Sequence, residues 1–426
     1  MPLFNSRAAA ARLIIIAALA GALSANAAVP ASAITLHDAV RATLENNPDL
    51  KAFSYTLRAQ DARIRGASQS KPIEMSMEIE NVLGTGAVER FDAAEVTLSL
   101  SRVIELGDKR RRRIDAARAE RDGVTIERQA AQLDRLAEVT RRFVHVASDQ
   151  KQLELTAEAV RLASGTVDAV KRRVDAAKSP EVELHRANVE LIRAEVALDH
   201  AEHEYASSKV LLAAMWGETQ PRFDAVSADL YALPAPAAFD VFVANLLRNP
   251  DFTRFTSLAR LRDAEVRLAQ SQRKADFTLS AGVRRLEASD DQALVVGFSM
   301  PFGSRARAQP DIDAANAMAE AVGQQKESAI VAARAQLFAI YQELRHEISE
   351  AATLRDRVVP QIQEALEETR YAYERGRYGY LELVDAQRAY LDVQRSLIEA
   401  SANAHLYRAE LERLTAEPLT GSGELP

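Results

Sequence analysis

Residues 107–179 read GDKRRRRIDAARAERDGVTIERQAAQLDRLAEVTRRFVHVASDQKQLELTAEAVRLASGTVDAVKRRVDAAKS. The stretch holds no proline, and Val139, Val146, Leu153, Val160, Val167 and Val174 recur seven apart, with Phe143 and Val170 filling the intervening steps. A seven-residue apolar repeat keeps one stripe of an α-helix against a partner helix. At 1.5 Å per residue, about 70 residues make a rod of ~105 Å, too long for one globular domain to bury. It must run along other long helices.

The rest of the chain supplies them. Toward the C-terminus, Ser179-Pro180 ends the rod, and a return helix over 181–216 carries Leu184, Leu191, Leu198, Tyr205 and Leu212 at the same spacing of seven. Toward the N-terminus the period changes from helical to two. Ile73 to Glu80 (IEMSMEIE) and Glu95 to Ser101 (EVTLSLS) alternate strictly, which predicts strands over about 73–82 and 94–103. One face of each is apolar. The other carries Glu74, Ser76, Glu78 and Thr97, Ser99, Ser101. Such a pair suits either the edge of a sandwich or a membrane barrel with lipid outside and water inside. Short helices precede the strands, broken at Asn47-Pro48-Asp49.

The pattern then repeats. Pro221 to Pro236 lies in an irregular connector over 221–238. Asn249-Pro250-Asp251 follows Asn47-Pro48-Asp49 at an offset of 249 − 47 = 202. Ile312-Asp313-Ala314-Ala315 repeats Ile114-Asp115-Ala116-Ala117, and Leu383, Tyr390, Leu397 and Leu411 each lie 199 residues after a residue of the first return helix. The second half, 239–416, thus predicts strands over about 276–285 and 293–301, a long helix over about 310–375 kinked at Pro360, and a return helix over about 380–415. The first half spans 34–220, and 417–426 is a tail. The chain is a tandem duplication.

Composition narrows the class. Of 426 residues, 27% are charged and only 6% aromatic, which suits long charged helices. With no cysteine there is no disulfide, thiolate metal site, cysteine nucleophile or lipidated N-terminal cysteine. Arg7 and Arg12, the apolar run Leu13 to Leu23 and small residues after it read as a secretory signal peptide within 1–33, cleaved after Ala27 or Ala33. An uncleaved anchor is the alternative, but eleven apolar residues are short for a span. Without those two arginines the formal charge moves from −7 to −9, which gives no support for nucleic-acid binding. No phosphate-binding glycine loop, metalloprotease helix or nucleophile elbow occurs, so no enzyme and no cofactor is expected.

Four strands cannot close a barrel, and an open edge cannot sit in lipid. Eight strands are already filled by side chains, whereas three chains would give twelve strands and a wet lumen. The expected fold class is therefore mainly α with a small β-barrel part, a tandem repeat of antiparallel coiled-coil helices plus two hairpins.

The duplication, the N-P-D motif early in each half, the paired strands and the turn-plus-helix runs Val174 to Ala187 and Tyr373 to Ala386 resemble the TolC-type outer-membrane efflux proteins over essentially the whole mature chain. Asn81 to Gly86 (NVLGTG) and Ile104 to Arg110 (IELGDKR) are similar to the heavy-metal, CzcC-like branch. The resemblance implies a homotrimer whose 12-strand outer-membrane barrel continues into a periplasmic helical tunnel. It also implies docking to a periplasmic adaptor and an inner-membrane resistance-nodulation-division transporter, whose substrate the trimer conducts passively.

By the same resemblance, Glu382 and Asp385 line the narrowest part of the bore, where six carboxylates per trimer would attract cations. Read from the residues alone, they are acids at a helix start, complementing its dipole. Tyr373 matches a tyrosine that helps hold the tip closed. The family often has a basic residue where this chain has Tyr378, and Arg375 and Arg377 are the nearby substitutes. His200 and His203, with Glu204, read as a solvated face rather than a metal site. Met75, Met77 and Met300 read as lipid-facing filler. The basic run Lys109 to Arg113 reads either as a contact to anionic lipid at the periplasmic rim or as a solvated helix start. The competing functions are a structural or adaptor coiled-coil protein of the periplasm, with its strands in a soluble sandwich, and a periplasmic metal chaperone, which the scattered histidines disfavour.

Overall fold

A computed structural model describes residues 33–416 except Pro234. The signal-peptide segment before it and the tail after it lie outside the described residues. Nine helices and four strands are labelled in chain order among the described residues: α1 (Leu36–Asn46), α2 (Pro48–Ala67), β1 (Ile73–Glu80), β2 (Glu95–Ile104), α3 (Lys109–Asp175), α4 (Glu181–Ala213), α5 (Phe239–Leu246), α6 (Pro250–Ser271), β3 (Phe277–Leu286), β4 (Asp291–Ser299), α7 (Ser304–Thr353), α8 (Val359–Glu374) and α9 (Tyr380–Thr415).

The N-P-D motifs start α2 and α6 by one device. The Asn47 carboxamide oxygen accepts from the backbone N–H groups of Asp49 and Leu50, and its Nδ2 donates to the carbonyl of Met215, just beyond α4. Asn249 caps α6 through Asp251 N–H and donates to the carbonyls of Arg413 and Leu414 near the end of α9. Proline follows at the first helical position, where its missing N–H is no loss. Each buried asparagine thus joins the start of one helix to the end of its repeat's return helix.

The strands form one antiparallel sheet in the order β1-β2-β3-β4, so β2–β3 pairing joins the two repeats. Its register aligns the alternation across all four strands. On one face lie the rows Met75–Leu100–Ala281–Val296 and Met77–Leu98–Val283–Leu294. These rows are exposed: Met75 is 73%, Leu98 51% and Leu294 76% accessible. The opposite face carries Ser76, Ser99, Gly282 and Val295 in one row and Glu74, Ser101, Ser280 and Gly297 in another. A Cβ added at Gly282 would lie 2.5 Å from the Leu98 carbonyl oxygen. One added at Gly297 would collide with the Ser280 hydroxyl. Crowding of this kind marks the inside of a curled sheet, so the polar face is the concave one. Arg284 crosses that face and binds Glu95 at 2.6 Å, Glu80 at 3.0 Å and the Thr97 hydroxyl at 2.9 Å.

The helices form layers around α3. Near the sheet the packing order is α2, α3, α6, α7; farther away it is α4, α3, α9 and α7–α8. The buried seam residues correspond between repeats. Val139 and Val146 of α3 match Leu337 and Leu344 of α7, all nearly inaccessible, at an offset of 337 − 139 = 198. At the far end the offset is 199, as in Val174 and Tyr373. The extra residue is absorbed by a π-helical turn, Leu354–Val358, directly before Pro360. A π turn takes one additional residue without ending the rod, and proline removes an N–H donor there in any case. A π turn thus lies just before Pro360, the position where a kink is expected from sequence. The helix also starts six residues before the expected 310, at Ser304, with Pro310 inside it. Pro310 lies in an early, exposed turn, where the acceptor it leaves unpaired can face water.

Candidate functional site

The two turns farthest from the sheet are built alike. At the end of α3, Lys178 N–H donates to the Arg173 carbonyl and Ala177 N–H to the Val174 carbonyl; after α8, Arg377 N–H donates to Ala372 and Gly376 N–H to Tyr373. Both are Schellman caps, which need a left-handed residue at the turn. Gly376 meets that need at φ 75°, whereas Ala177 is held at φ 54°. A Cβ there costs roughly 1 kcal/mol. Ala177→Gly should therefore stabilise the turn by about 0.5–1 kcal/mol, and Gly376→Ala should destabilise its counterpart by as much. Thermal unfolding in detergent reads both, and a loss of stability in Ala177→Gly would contradict the cap argument.

Between the turns, Val170, Ala187, Tyr373, Tyr380, Leu383 and Val384 make one apolar cluster. Tyr373 is 1% exposed, and its hydroxyl has no hydrogen-bond partner. Burial pushes that hydroxyl's pKa up; Arg173 acts against the shift and Glu183 adds to it. Arg173 ties the turns together. Its Nη1 donates to the Tyr373 carbonyl at 2.6 Å, its Nε to the Ser179 hydroxyl at 3.0 Å, and its guanidinium lies 4.7 Å from the Tyr373 ring centre. Farther along α9, Gln387 donates to Thr166 and Arg388 pairs with Glu190 of α4, both at 2.9 Å.

The expected acids are at the start of α9. The Glu382 carboxylate accepts from Gly379 N–H at 3.1 Å, the acidic half of a capping box. Asp385 lies one turn on, and both are exposed. The geometry therefore contains the helix-start role for Glu382 and leaves both carboxylates exposed. Arg375 stacks its guanidinium 3.7 Å from the Tyr371 ring centre and Arg377 is exposed; among the described residues neither forms an ion pair. The basic groups that join elements here are Arg173 and Arg388. Sequence reading missed Arg173 because its acceptor is a backbone carbonyl 200 residues away, which has no signature in side-chain identity. Arg172-Arg173 reads simply as the basic last turn of a helix.

At the sheet end, two members of the basic run are engaged by carboxylates, Lys109 buried and Arg113 half-buried. The Lys109 side chain, 6% exposed, pairs with Asp276 at 2.8 Å, and Arg113 chelates Glu105. The run is therefore neither uniformly solvated nor uniformly available to lipid. His200 and His203 are exposed, with His203 3.7 Å from Asp199, and no group of three or more potential metal ligands occurs among the described residues.

Residues 39–218 match the sequence model of the family described as outer membrane efflux protein. The chain is 26% identical over 182 residues to the cobalt-zinc-cadmium resistance protein CzcC of Cupriavidus metallidurans, an alignment covering 43% of this chain and 44% of that protein. The aligned stretch is thus less than half of the curated relative. The fold is shared much more widely. The outer-membrane channel OprN aligns with a TM-score of 0.73 at 18% identity over 90% of each chain. VceC of Vibrio cholerae gives 0.70 at 19% identity over 90% of this chain and 97% of that one. CusC gives 0.67 at 16% identity over 89% and 91%. Residues 39–218 thus carry the sequence pattern of the outer membrane efflux proteins, and both repeats share the fold of outer-membrane channels, so this is the family that the chain resembles.

Proposed function

We propose that three copies close into an outer-membrane duct that passively conducts substrate delivered by a periplasmic adaptor and an inner-membrane resistance-nodulation-division transporter. The observation that carries this reading is the pair of open edges. In each repeat α3 or α7 is the central rod, yet only α3 has neighbours from the other repeat, α6 and α9, along its length. The equivalent contacts of α7, to α2 and α4, have no comparable counterpart within the chain. The sheet has the same asymmetry, since β2 pairs with β3 while β1 and β4 are edges.

Both helical edges expose apolar residues at coiled-coil spacing: Val182, Val189 and Val196 on α4, Val331 and Phe338 on α7. A second copy supplies what each edge lacks, and a rotation that closes after three copies leaves no edge. The exposed apolar rows of the sheet would then face lipid and the concave polar face water. The soluble-sandwich alternative would have to cover those rows, and nothing does so among the described residues.

The duplication supplies a specific test. Within the chain, Arg141 of α3 meets Glu410 of α9 at 3.1 Å. The repeat offsets carry this pair to Ala339 (141 + 198) on α7 and Leu211 (410 − 199) on α4, which would meet only between copies. The native chain has no cysteine to interfere. Leu211→Cys with Ala339→Cys, treated with a short bis-maleimide in outer membranes, should give a three-chain species in denaturing gels. Monomer alone would end the proposed assembly.

At the far tip, Glu382 and Asp385 would ring the bore, with Tyr373, Arg375 and Arg377 at its closure. The carboxylates and the similarity to a cobalt-zinc-cadmium resistance protein favour heavy-metal cations as cargo. Alanine at both acids should leave the trimer intact, because neither belongs to the Leu383–Tyr390–Leu397 seam. It should weaken cation selectivity and divalent block in planar bilayers. The replacement Glu183→Ala in the first turn should do less. Unchanged selectivity in an intact trimer would reduce the two residues to helix-start acids.

A further inference from the structure

The outward face of the sheet is not uniformly apolar at its helix-proximal end. The register puts Arg102 in the row Ile73–Arg102–Leu279–Phe298, on the same face as Leu98 and Leu100. Arg102 is exposed, and among the described residues its one side-chain hydrogen bond is a long one, 3.4 Å from Nη2 to the Ser70 hydroxyl. Aromatic rings lie at the same end of the sheet, on β3, on β4 and just past β4. Phe277 and Phe298 pack with their ring centres 5.6 Å apart, and Phe302, just past β4, is 90% exposed. Aromatic rings beside an arginine are the side-chain mixture that settles where acyl chains give way to headgroups.

More positive charge lies at the same end of the strands. Lys71 precedes β1, Arg110 and Arg111 open α3, and Arg305 opens α7; all are exposed. Their neighbours are already committed, since Lys109 pairs with Asp276 and Arg113 with Glu105. Two carboxylates near this rim, Asp276 and Glu105, are therefore taken by Lys109 and Arg113. Asp108 is the exposed acid left in the segment from Arg102 to Arg113.

Resting on the barrel reading, we propose that this rim binds anionic phospholipid headgroups of the periplasmic leaflet, with Arg102 as the phosphate contact at the lipid face and Arg110 and Arg111 as supporting charges. Arg102 cannot withdraw into the lumen, because strand alternation fixes its side of the sheet. Its long stem reaches along the apolar face toward the interface, where a phosphate meets a guanidinium in fork geometry. An anionic headgroup adds net charge attraction that a zwitterionic one lacks, about fivefold in occupancy for each base near the surface. The ligand class is thus phosphatidylglycerol or cardiolipin rather than phosphatidylethanolamine.

The test uses the full chain, reconstituted in vesicles of equal parts phosphatidylethanolamine and phosphatidylglycerol, then extracted in mild detergent. The lipid retained is identified by native mass spectrometry. The wild type should retain phosphatidylglycerol at least about fivefold over phosphatidylethanolamine. Arg102→Gln with Arg110→Gln and Arg111→Gln should bring the ratio near one, with the oligomer intact. Arg102→Lys, which keeps the charge but not the fork, should hold an intermediate ratio. Retention without preference in the wild type, or an undiminished preference in the triple variant, would overturn the lipid site while leaving the barrel standing. Failure of the wild type to enter vesicles of any composition would overturn both.

Discussion

Leu98→Arg should abolish membrane insertion, whereas Ser99→Arg, its neighbour in the chain, should not. Leu98 sits between Met77 and Val283 in an interior row of the exposed apolar face. Placing a guanidinium there costs about 2–4 kcal/mol if the row lies near the bilayer midplane. In the proposed trimer the penalty would be repeated three times. Ser99 points to the concave side, where its Oγ lies 2.8 Å from that of Ser76. Its replacement removes that bond, worth about 1 kcal/mol, and sends the long side chain into the polar interior. The measurement is the fraction of heat-modifiable, membrane-integrated oligomer for each variant. Equal damage at both positions would refute the inside–outside assignment of the sheet.

Lys109→Met should destabilise the junction between sheet and rods by about 3 kcal/mol, the low end for breaking a buried ion pair because Asp276 keeps some contact with water. The Asp276 carboxylate accepts from Lys109 Nζ at 2.8 Å and from Leu106 N–H at 3.0 Å. Lys109 begins the first repeat's rod and Asp276 immediately precedes the second repeat's hairpin, so this contact joins the repeats where strand becomes helix. Methionine preserves the packing of the lysine stem and leaves one carboxylate oxygen without its cation. Adding Asp276→Asn removes the stranded charge and should recover most of the loss. A double-mutant cycle read by thermal unfolding in detergent isolates the coupling, which should exceed 1 kcal/mol. A coupling near zero would make the pair incidental. Arg110→Gln, exposed beside it, should change stability by no more than about 0.5 kcal/mol.

Much of this molecule was legible before any coordinates, because its regularities are local and repeated. Heptad spacing from Val139 to Val174 fixes a long helix, and alternation at Ile73–Glu80 fixes a two-faced strand. The recurrence of Asn-Pro-Asp fixes two equivalent helix starts. Each reading needs only residues within a few turns of one another, where backbone periodicity decides which side chains share a face. The duplication supplied a check on every element by showing it twice. It also carried a signal of the π turn, since the repeat offset changes from 198 to 199 between Ile312 and Tyr373. The position of the inserted residue could not be read that way, since hydrogen-bond strain is not encoded in spacing.

The tertiary structure decided the rest, at contacts that local periodicity does not pair. Composition marks Lys109 and Arg113 as members of one basic run with Arg110 and Arg111. Only the approach of Asp276 and Glu105 separates the paired Lys109 and Arg113 from the exposed Arg110 and Arg111. The tip shows the same limit: Arg375 and Arg377 lie nearest in sequence to Tyr373, yet Arg173 binds its carbonyl. Local periodicity determined the elements and their faces, because dihedral preference and burial act over short stretches. Which charges meet was set by the packing of α3 against α9 and β2 against β3, because an ion pair depends on distance in space rather than separation along the chain.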